Sequence, residues 1–254
     1  MIAGRAEALR RLHSGPGMLV LPNAWDAASA RAFEAAGFAA IATTSGGVAA
    51  ALGFKDHEDA PVDEMAAAAG RIAASVSIPV SVDFEAGYQE SPEAIARRLV
   101  ASGAAGMNLE DSDHHGDEPL VNAEAHAEWL ARVKAAARAM GVDLFLNARV
   151  DTFVQKVGSP DEQLREGLRR ARLYQEAGAD CIYPITLADE AMISEMIEAV
   201  GAININVRRG GPLSLERLAA LGVRRVTYAS SLYPETMAAL DGIAADVFGG
   251  LPNR

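Results

Sequence analysis

Short apolar, β-rich runs alternate along the chain with longer stretches built from Ala, Leu, Arg and Glu. The runs fall at 18–21, 39–43, 79–84, 106–109, 144–150, 181–185, 203–207 and 225–229, which predicts eight strands. Helix-like stretches lie between and after them, at 26–36, 62–75, 92–102, 123–140, 161–177, 187–200, 214–221 and 234–247. Their starts carry capping signals such as Asp26, Ser91-Pro92, Ser159-Pro160 and Ser214. Four stretches end in a similar phrase that closes on Gly37, Gly103, Gly178 and Gly222. A glycine there can take the left-handed conformation that stops a helix, and the next strand follows within a few residues. This is the βαβ rhythm of a parallel sheet. Eight such units in 254 residues fit one closed (β/α)8 barrel, a TIM barrel spanning 1–254, better than a doubly wound sheet. No GxGxxG follows the first strand, and no linker or low-complexity segment breaks the pattern.

Composition narrows the partners. Half of the residues are hydrophobic and 22% are charged, an ordinary balance for a domain with a sizeable core. The net charge of −11, with no Lys/Arg run, repels nucleic acid and anionic lipid. A small anionic substrate stays possible, because a local cation outweighs the global field. Cys181 is the one cysteine, so no intramolecular disulfide forms and a reducing compartment is expected. Residues 1–12 are amphipathic and charged and lack the apolar core of a signal peptide. No apolar run reaches the ~18 residues of a membrane span. The expectation is a cytoplasmic protein with neither nucleic-acid nor membrane partners.

In such a barrel the active site forms where the strands end, so polar strand ends carry the information. The third run ends in Asp83-Phe84-Glu85, whose two acids point the same way because they are two residues apart. The fourth ends in Asn108-Leu109-Glu110, and Glu110 can face the same mouth. Three carboxylates on adjacent strand ends repel one another unless something lies between them. A hard divalent cation with oxygen ligands resolves this, Mg2+ best and Mn2+ as the alternative; the plainer reading is that these acids cap helices or bind arginine. In the fifth run Asn147, Arg149 and Asp151 alternate onto one side. Arg149 can grip a carboxylate bidentately or serve as a structural partner of Asp151 or Glu110. Small residues after the second strand, Thr44, Ser45, Gly46 and Gly47, let backbone N–H groups approach an anion. Trp25 after the first strand is placed to wall a pocket or to sit in the core. Asn206 and Arg208, around the end of the seventh, are further candidates for substrate binding.

These segments together resemble the isocitrate lyase/phosphoenolpyruvate mutase superfamily over about residues 21–232. The resemblance rests on Asn23-Ala24-Trp25-Asp26, Thr44-Ser45-Gly46, Gly53-Phe54-Lys55-Asp56, Asp83 to Tyr88, Asn108 to Ser112 and Asn147 to Asp151, in that order. It implies a (β/α)8 barrel, a Mg2+ site matching Asp83, Glu85 and Glu110 partly through water, and Asp56 as an acid beside it. It implies that Ser45 and Gly46 match backbone donors to the substrate carboxylate, and that Arg149 matches a substrate-binding arginine. It also implies a homo-oligomer, a dimer or a tetramer that exchanges a C-terminal helix.

One departure bears on substrate. Family lyases carry a Lys-Lys/Arg-Cys-Gly-His loop after the glutamate of the fourth strand, with cysteine as proton donor. Here residues 111–119 read Asp-Ser-Asp-His-His-Gly-Asp-Glu-Pro, with neither Cys nor Lys, and the Lys-Thr-Asn motif of mutases is missing too. His114 and His115 are the replacements to consider, since histidine titrates near neutrality, with His57 and Tyr88 behind them. Cys181 starts its strand, at the wrong end of the barrel. The expected activity is Mg2+-dependent carbon–carbon bond cleavage of a small 2-oxo or 2-hydroxy di- or tricarboxylate through a stabilised enolate, as in methylisocitrate lyase. The alternatives are an oxaloacetate decarboxylase or hydrolase, a phosphonopyruvate-type C–P enzyme, or a non-catalytic binder of 2-oxo acids.

Overall fold

The computed structural model describes residues 2–156 and 158–250. Helix α1 (Ile2–Ser14) precedes the first strand. It was legible in the sequence only as an amphipathic end. Leu9 on its buried face joins Leu21, Ala105, Phe145 and Cys181 in an apolar cluster where the strands begin. The approach is close: a Cβ on Gly106 would lie 2.8 Å from Leu9 Cδ2. His13, at the helix end, stacks on Phe145 at 3.9 Å, and burial first, then nearby arginines, lower its pKa to about 3. It is a core residue.

The first strand is bent at Pro22, which has no N–H to give to a ladder. Its halves are β1 (Leu19–Leu21) and β2 (Asn23–Ala24). Then come β3 (Ile41–Thr43), β4 (Val80–Asp83), β5 (Gly106–Glu110), β6 (Phe145–Val150), β7 (Cys181–Pro184), β8 (Asn204–Asn206) and β9 (Arg225–Thr227). All pairs are parallel. Six strands run in the order β2-β3-β4-β5-β6-β7 and three in the order β1-β9-β8. A bridge between Ile182 and Ile203 joins β7 to β8, and the two halves of the bent strand join the other ends. The ring therefore closes as a (β/α)8 barrel.

The outer helices are α2 (Ala27–Ala35), α4 (Val62–Ala74), α5 (Pro92–Ser102), α6 (Ala123–Ala139), α7 (Pro160–Glu176), α8 (Glu190–Val200), α9 (Leu215–Leu221) and α10 (Leu232–Gly249). An additional helix, α3 (Ser45–Leu52), forms where the sequence suggested an open small-residue turn. The Thr44 side chain caps it, so the small residues begin a helix aimed at the barrel mouth. Among the described residues no helix is long and apolar enough to cross a membrane. α10 buries none of its residues, and its exposed positions include Leu240, Ile243 and Val247.

Inside the barrel the side chains are unusually polar. Arg225 is fully buried and reaches across from β9 to Ser81 Oγ on β4 at 3.2 Å and Asn108 Oδ1 on β5 at 3.4 Å. Asn147 Nδ2 also donates to Asn108 Oδ1, at 2.8 Å. These bonds satisfy the groups only in part: among the described residues Arg225 Nε and Nη1 and Asn147 Oδ1 are buried without a partner, in the layer that reaches the mouth through Asn108.

Candidate active site

The loops at the C-terminal ends of the strands enclose a cavity of about 170 Å3. Its walls include Asp56, Asp83, Glu85, Glu110, Arg149 and His57, with Thr44, Ser45 and Asn108. Eight of the predicted site residues, from five separate segments, thus line one small space.

Each acid is held differently. Asp83 ends β4. Its own N–H donates to Thr43 Oγ1 at 2.8 Å, and its Oδ2 accepts the Ser45 N–H at 3.1 Å. Its Oδ1 and that of Asp56 are both buried and have no hydrogen-bond partner among the described residues. Burial pushes the Asp83 carboxyl up, against the pull of Arg149. Glu85 follows on a backbone with φ of 48°, a left-handed turn that Gly87 and Tyr88 continue. Gly87 is required there: a Cβ would lie 2.6 Å from Ile95 Cδ1 and 2.9 Å from the Trp129 ring. Glu85 Oε1 accepts the Tyr88 hydroxyl and Oε2 accepts the Glu58 N–H at 2.8 Å. Burial drives the Glu85 pKa up to about 8, with repulsion from Asp56, Asp83 and Glu110 adding to it against the Tyr88 bond.

Glu110 ends β5 and is buried between Arg149 Nη1, in direct ion contact, and His114 Nε2 at 2.7 Å. Its pKa is pushed up by burial, only partly offset by Arg149. Arg149 gives Nε and Nη2 to the two oxygens of Asp151, each at 2.7 Å. Burial works against its charge, but Asp151, Glu110 and Asp83 more than offset that and raise its pKa. The structural-partner reading of Arg149 therefore holds, with both acids.

Among the described residues no three His, Cys, Asp or Glu side chains converge into a ready metal cluster. Of the expected trio, Glu85 and Glu110 are held here by other donors. Without a cation, buried carboxylates recruit the nearest donors, and here Arg149, Tyr88 and His114 occupy Glu110 and Glu85. What fits a cation is the remainder: two unpartnered hard oxygen atoms, on Asp56 and Asp83, facing a small cavity with Glu85 and Glu110 in its wall.

Other expected residues lie elsewhere. Trp25 does not wall this cavity; it meets Tyr233 edge-on, with ring centroids 5.4 Å apart, in a groove between α2 and α10. Gly47, Asn206 and Arg208 line a second, larger cavity, which Gly46 also borders. Asn206 Oδ1 is engaged by the Thr186 N–H at 2.9 Å. Gly46 is packed against Asp56, since a Cβ there would lie 2.7 Å from Asp56 Oδ2. His114 is nearly buried, and its ring lies 5.2 Å from that of His57. His115 is half-exposed and pairs with Glu58 Oε2 at 2.7 Å, away from the acids. Cys181 is buried at the opposite end, and burial pushes its thiol up to about 12.

Sequence reasoning missed the support beneath Arg149. Asp151 takes its position from Asp111, whose Oδ1 accepts the Asp151 N–H at 2.8 Å. Asp111 Oδ2 in turn accepts Arg170 Nη1 at 2.9 Å and the Tyr174 hydroxyl at 2.6 Å, both from α7. The available signal was an arginine and a tyrosine four apart, on the face of a helix that also carries Leu164 and Ala171. Glu58, which ties His115 to the Glu85 turn, gave no signal at all.

The phosphoenolpyruvate phosphomutase family model matches residues 9–248. The chain is 30% identical over 251 residues to 2,3-dimethylmalate lyase of Eubacterium barkeri, covering 93% of this chain and 84% of that protein. It is 30% identical over 213 residues to 2-methylisocitrate lyase of Escherichia coli, covering 79% and 68%. A solved protein of Burkholderia cenocepacia J2315 is 36% identical, with a TM-score of 0.88 over 95% of this chain and 99% of that one. A closed barrel with its acids and arginine at the C-terminal mouth agrees with these matches: the chain belongs to the phosphoenolpyruvate phosphomutase family, within the isocitrate lyase/phosphoenolpyruvate mutase superfamily, and is an enzyme of that type.

Proposed function

We propose that the chain is a divalent-cation-dependent carbon–carbon lyase for a small 2-oxo or 2-hydroxy di- or tricarboxylate. The observation that carries this reading is the pair of unpartnered oxygens on Asp56 and Asp83, buried in the cavity that Arg149 and Glu110 also line. Asp83, with Glu85, Glu110 and Asp56 directly or through water, would hold Mg2+. When bound, the ion supplies fixed positive charge against a developing enolate oxygen. Arg149 binds and orients the substrate carboxylate, since Asp151 fixes its plane and leaves its direction no freedom. At the N-terminus of α3 the N–H groups of Ser45 and Gly47 are already given to Asp83 and Thr44, so that of Gly46 is the one left for the same carboxylate. His57, the histidine in the cavity wall, would hold the proton that returns to the enolate carbon, with His114, whose ring Glu110 orients, behind it at 5.2 Å between ring centroids. His115 instead ties the loop after β5 to the loop after α3 through Glu58 and helps exclude water. The lyases among the relatives support cleavage, and the absence of a thiol from residues 111–119 sets this chain's proton handling apart.

That same absence favours one second reading. Decarboxylation of oxaloacetate, or C–P cleavage of a phosphonopyruvate, asks less of the loop, because water can return the proton. Turnover of methylisocitrate, 2,3-dimethylmalate, isocitrate, oxaloacetate and phosphonopyruvate, with and without Mg2+, tests both. Two carbon acids as products support the lyase. Carbon dioxide or phosphate supports the second reading, and no metal-dependent turnover across the panel refutes the first.

We further infer that the working form is a homo-oligomer built on the exposed apolar positions of α10, and that it acts in the cytoplasm. The exposed row Leu240, Ile243 and Val247 supports the oligomer.

A further inference from the structure

Beside the acid cavity lies a second one of about 810 Å3, in the size range of small-molecule sites. It is formed by the loops after β7, β8 and β9 and by the start of α10, so it opens at the same end of the barrel. The two are contiguous: Ile185, Ala229 and Ser230 line both. That shared wall is held in place. Thr186 and Ala229 both take left-handed backbone conformations, with φ of 67° and 48°, a strain that persists only where surroundings enforce it. The Asn206 side chain anchors the Thr186 N–H.

The lining of this second cavity differs from the first in kind. It carries no carboxylate, and its one charged residue is Arg208, exposed at the rim. Leu187, Val207 and Leu213 form the body. A second or third carboxylate driven among these three would lose its water and find no cation there, since Arg208 stands at the rim. An apolar group would gain from burial.

We propose that this cavity takes an alkyl or aryl substituent of the substrate, so that the enzyme prefers 2-oxo or 2-hydroxy acids bearing an apolar chain. The inference rests on the acid cavity being the reacting site, as proposed above. It narrows the substrate class: the carboxylate end sits with Arg149, and the chain passes the Ile185–Ala229 wall.

Calorimetric binding in Mg2+ to the full-length protein tests it, with oxalate, 2-oxobutanoate, 2-oxohexanoate and phenylpyruvate as probes. Each added methylene should tighten binding about fourfold, so that 2-oxohexanoate binds about fifteenfold tighter than 2-oxobutanoate. Ala188→Trp, in the exposed loop lining the cavity, should abolish that gain and keep oxalate binding. A flat series with oxalate still bound overturns the apolar subsite and spares the lyase reading. Failure of oxalate itself to bind overturns the reading beneath it. Ala188→Trp that dissociates an oligomer instead shows the cavity to be filled by a second copy, and overturns the proposal as well.

Discussion

Arg149 spends three donors on two acids, and Glu85 gives both oxygens to Tyr88 and Glu58, so the character of each residue is set by what it touches. Glu85 makes this measurable. An unfolded glutamate ionises near 4.5, whereas burial and neighbouring acids hold the folded one protonated to about 8. A raised carboxyl pKa stabilises the fold below the unfolded value, and that stability is lost as pH rises through the folded one. In EDTA the protein should therefore lose stability between pH 4.5 and 8, with Glu85 alone contributing at most about 1.4 kcal/mol per pH unit. Glu85→Gln should flatten that slope, read by urea unfolding at a series of pH values. An unchanged slope would show that Glu85 is not the group responsible. Of this site, the acids and Arg149 were legible because strand ends with alternating polar residues have few other uses. Their present partners were not, because which donor reaches a carboxylate depends on loops 55–60 and 111–119, whose shape no periodicity encodes.

The strands and the outer helices follow from local rules. Gly37, Gly103, Gly178 and Gly222 all take positive φ where the sequence placed helix stops. Asp26, Ser91, Ser159 and Ser214 all cap their helices through side-chain bonds. α3 escaped because its glycines read as a loop, while Thr44 supplied a cap that turned them into a helix. α7 escaped in a different way: its helix was evident, but its link to the site was not. Arg170 and Tyr174 buttress Asp111, which positions Asp151 and so Arg149. Removing the arginine leaves Asp111 charged and buried, so Arg170→Met should destabilise the fold by about 3–5 kcal/mol. Tyr174→Phe removes one hydrogen bond and should cost about 1–2 kcal/mol. Denaturant midpoints of the two variants check the ranking. Equal, small losses would mean that α7 packs against the site without holding it.

At the scale of the whole molecule, closure of the barrel brings Asp83, Glu110 and Arg149 from three strands into one mouth, while α10 lies outside with no buried residue. A helix with Leu240 half-exposed and Ile243 and Val247 more so is expected to find cover in another copy. Ile243→Glu should lower the mass measured by light scattering to that of one chain; an unchanged oligomer would place the interface elsewhere. The mouth itself acts on the stability of the entire fold when it binds a ligand. Thermal unfolding with Mg2+ and oxalate, compared with EDTA, therefore reads whether the mouth holds a cation and an enolate-like anion together. The wild-type protein should be stabilised by about 2.7 kcal/mol at a hundredfold excess of oxalate over its Kd, and only when Mg2+ is present. Asp83→Ala should lose that shift yet unfold in EDTA no more easily than the wild type, because it removes one of several mutually repelling acids. A strongly destabilised Asp83→Ala in EDTA that keeps the full shift with Mg2+ and oxalate would contradict the account.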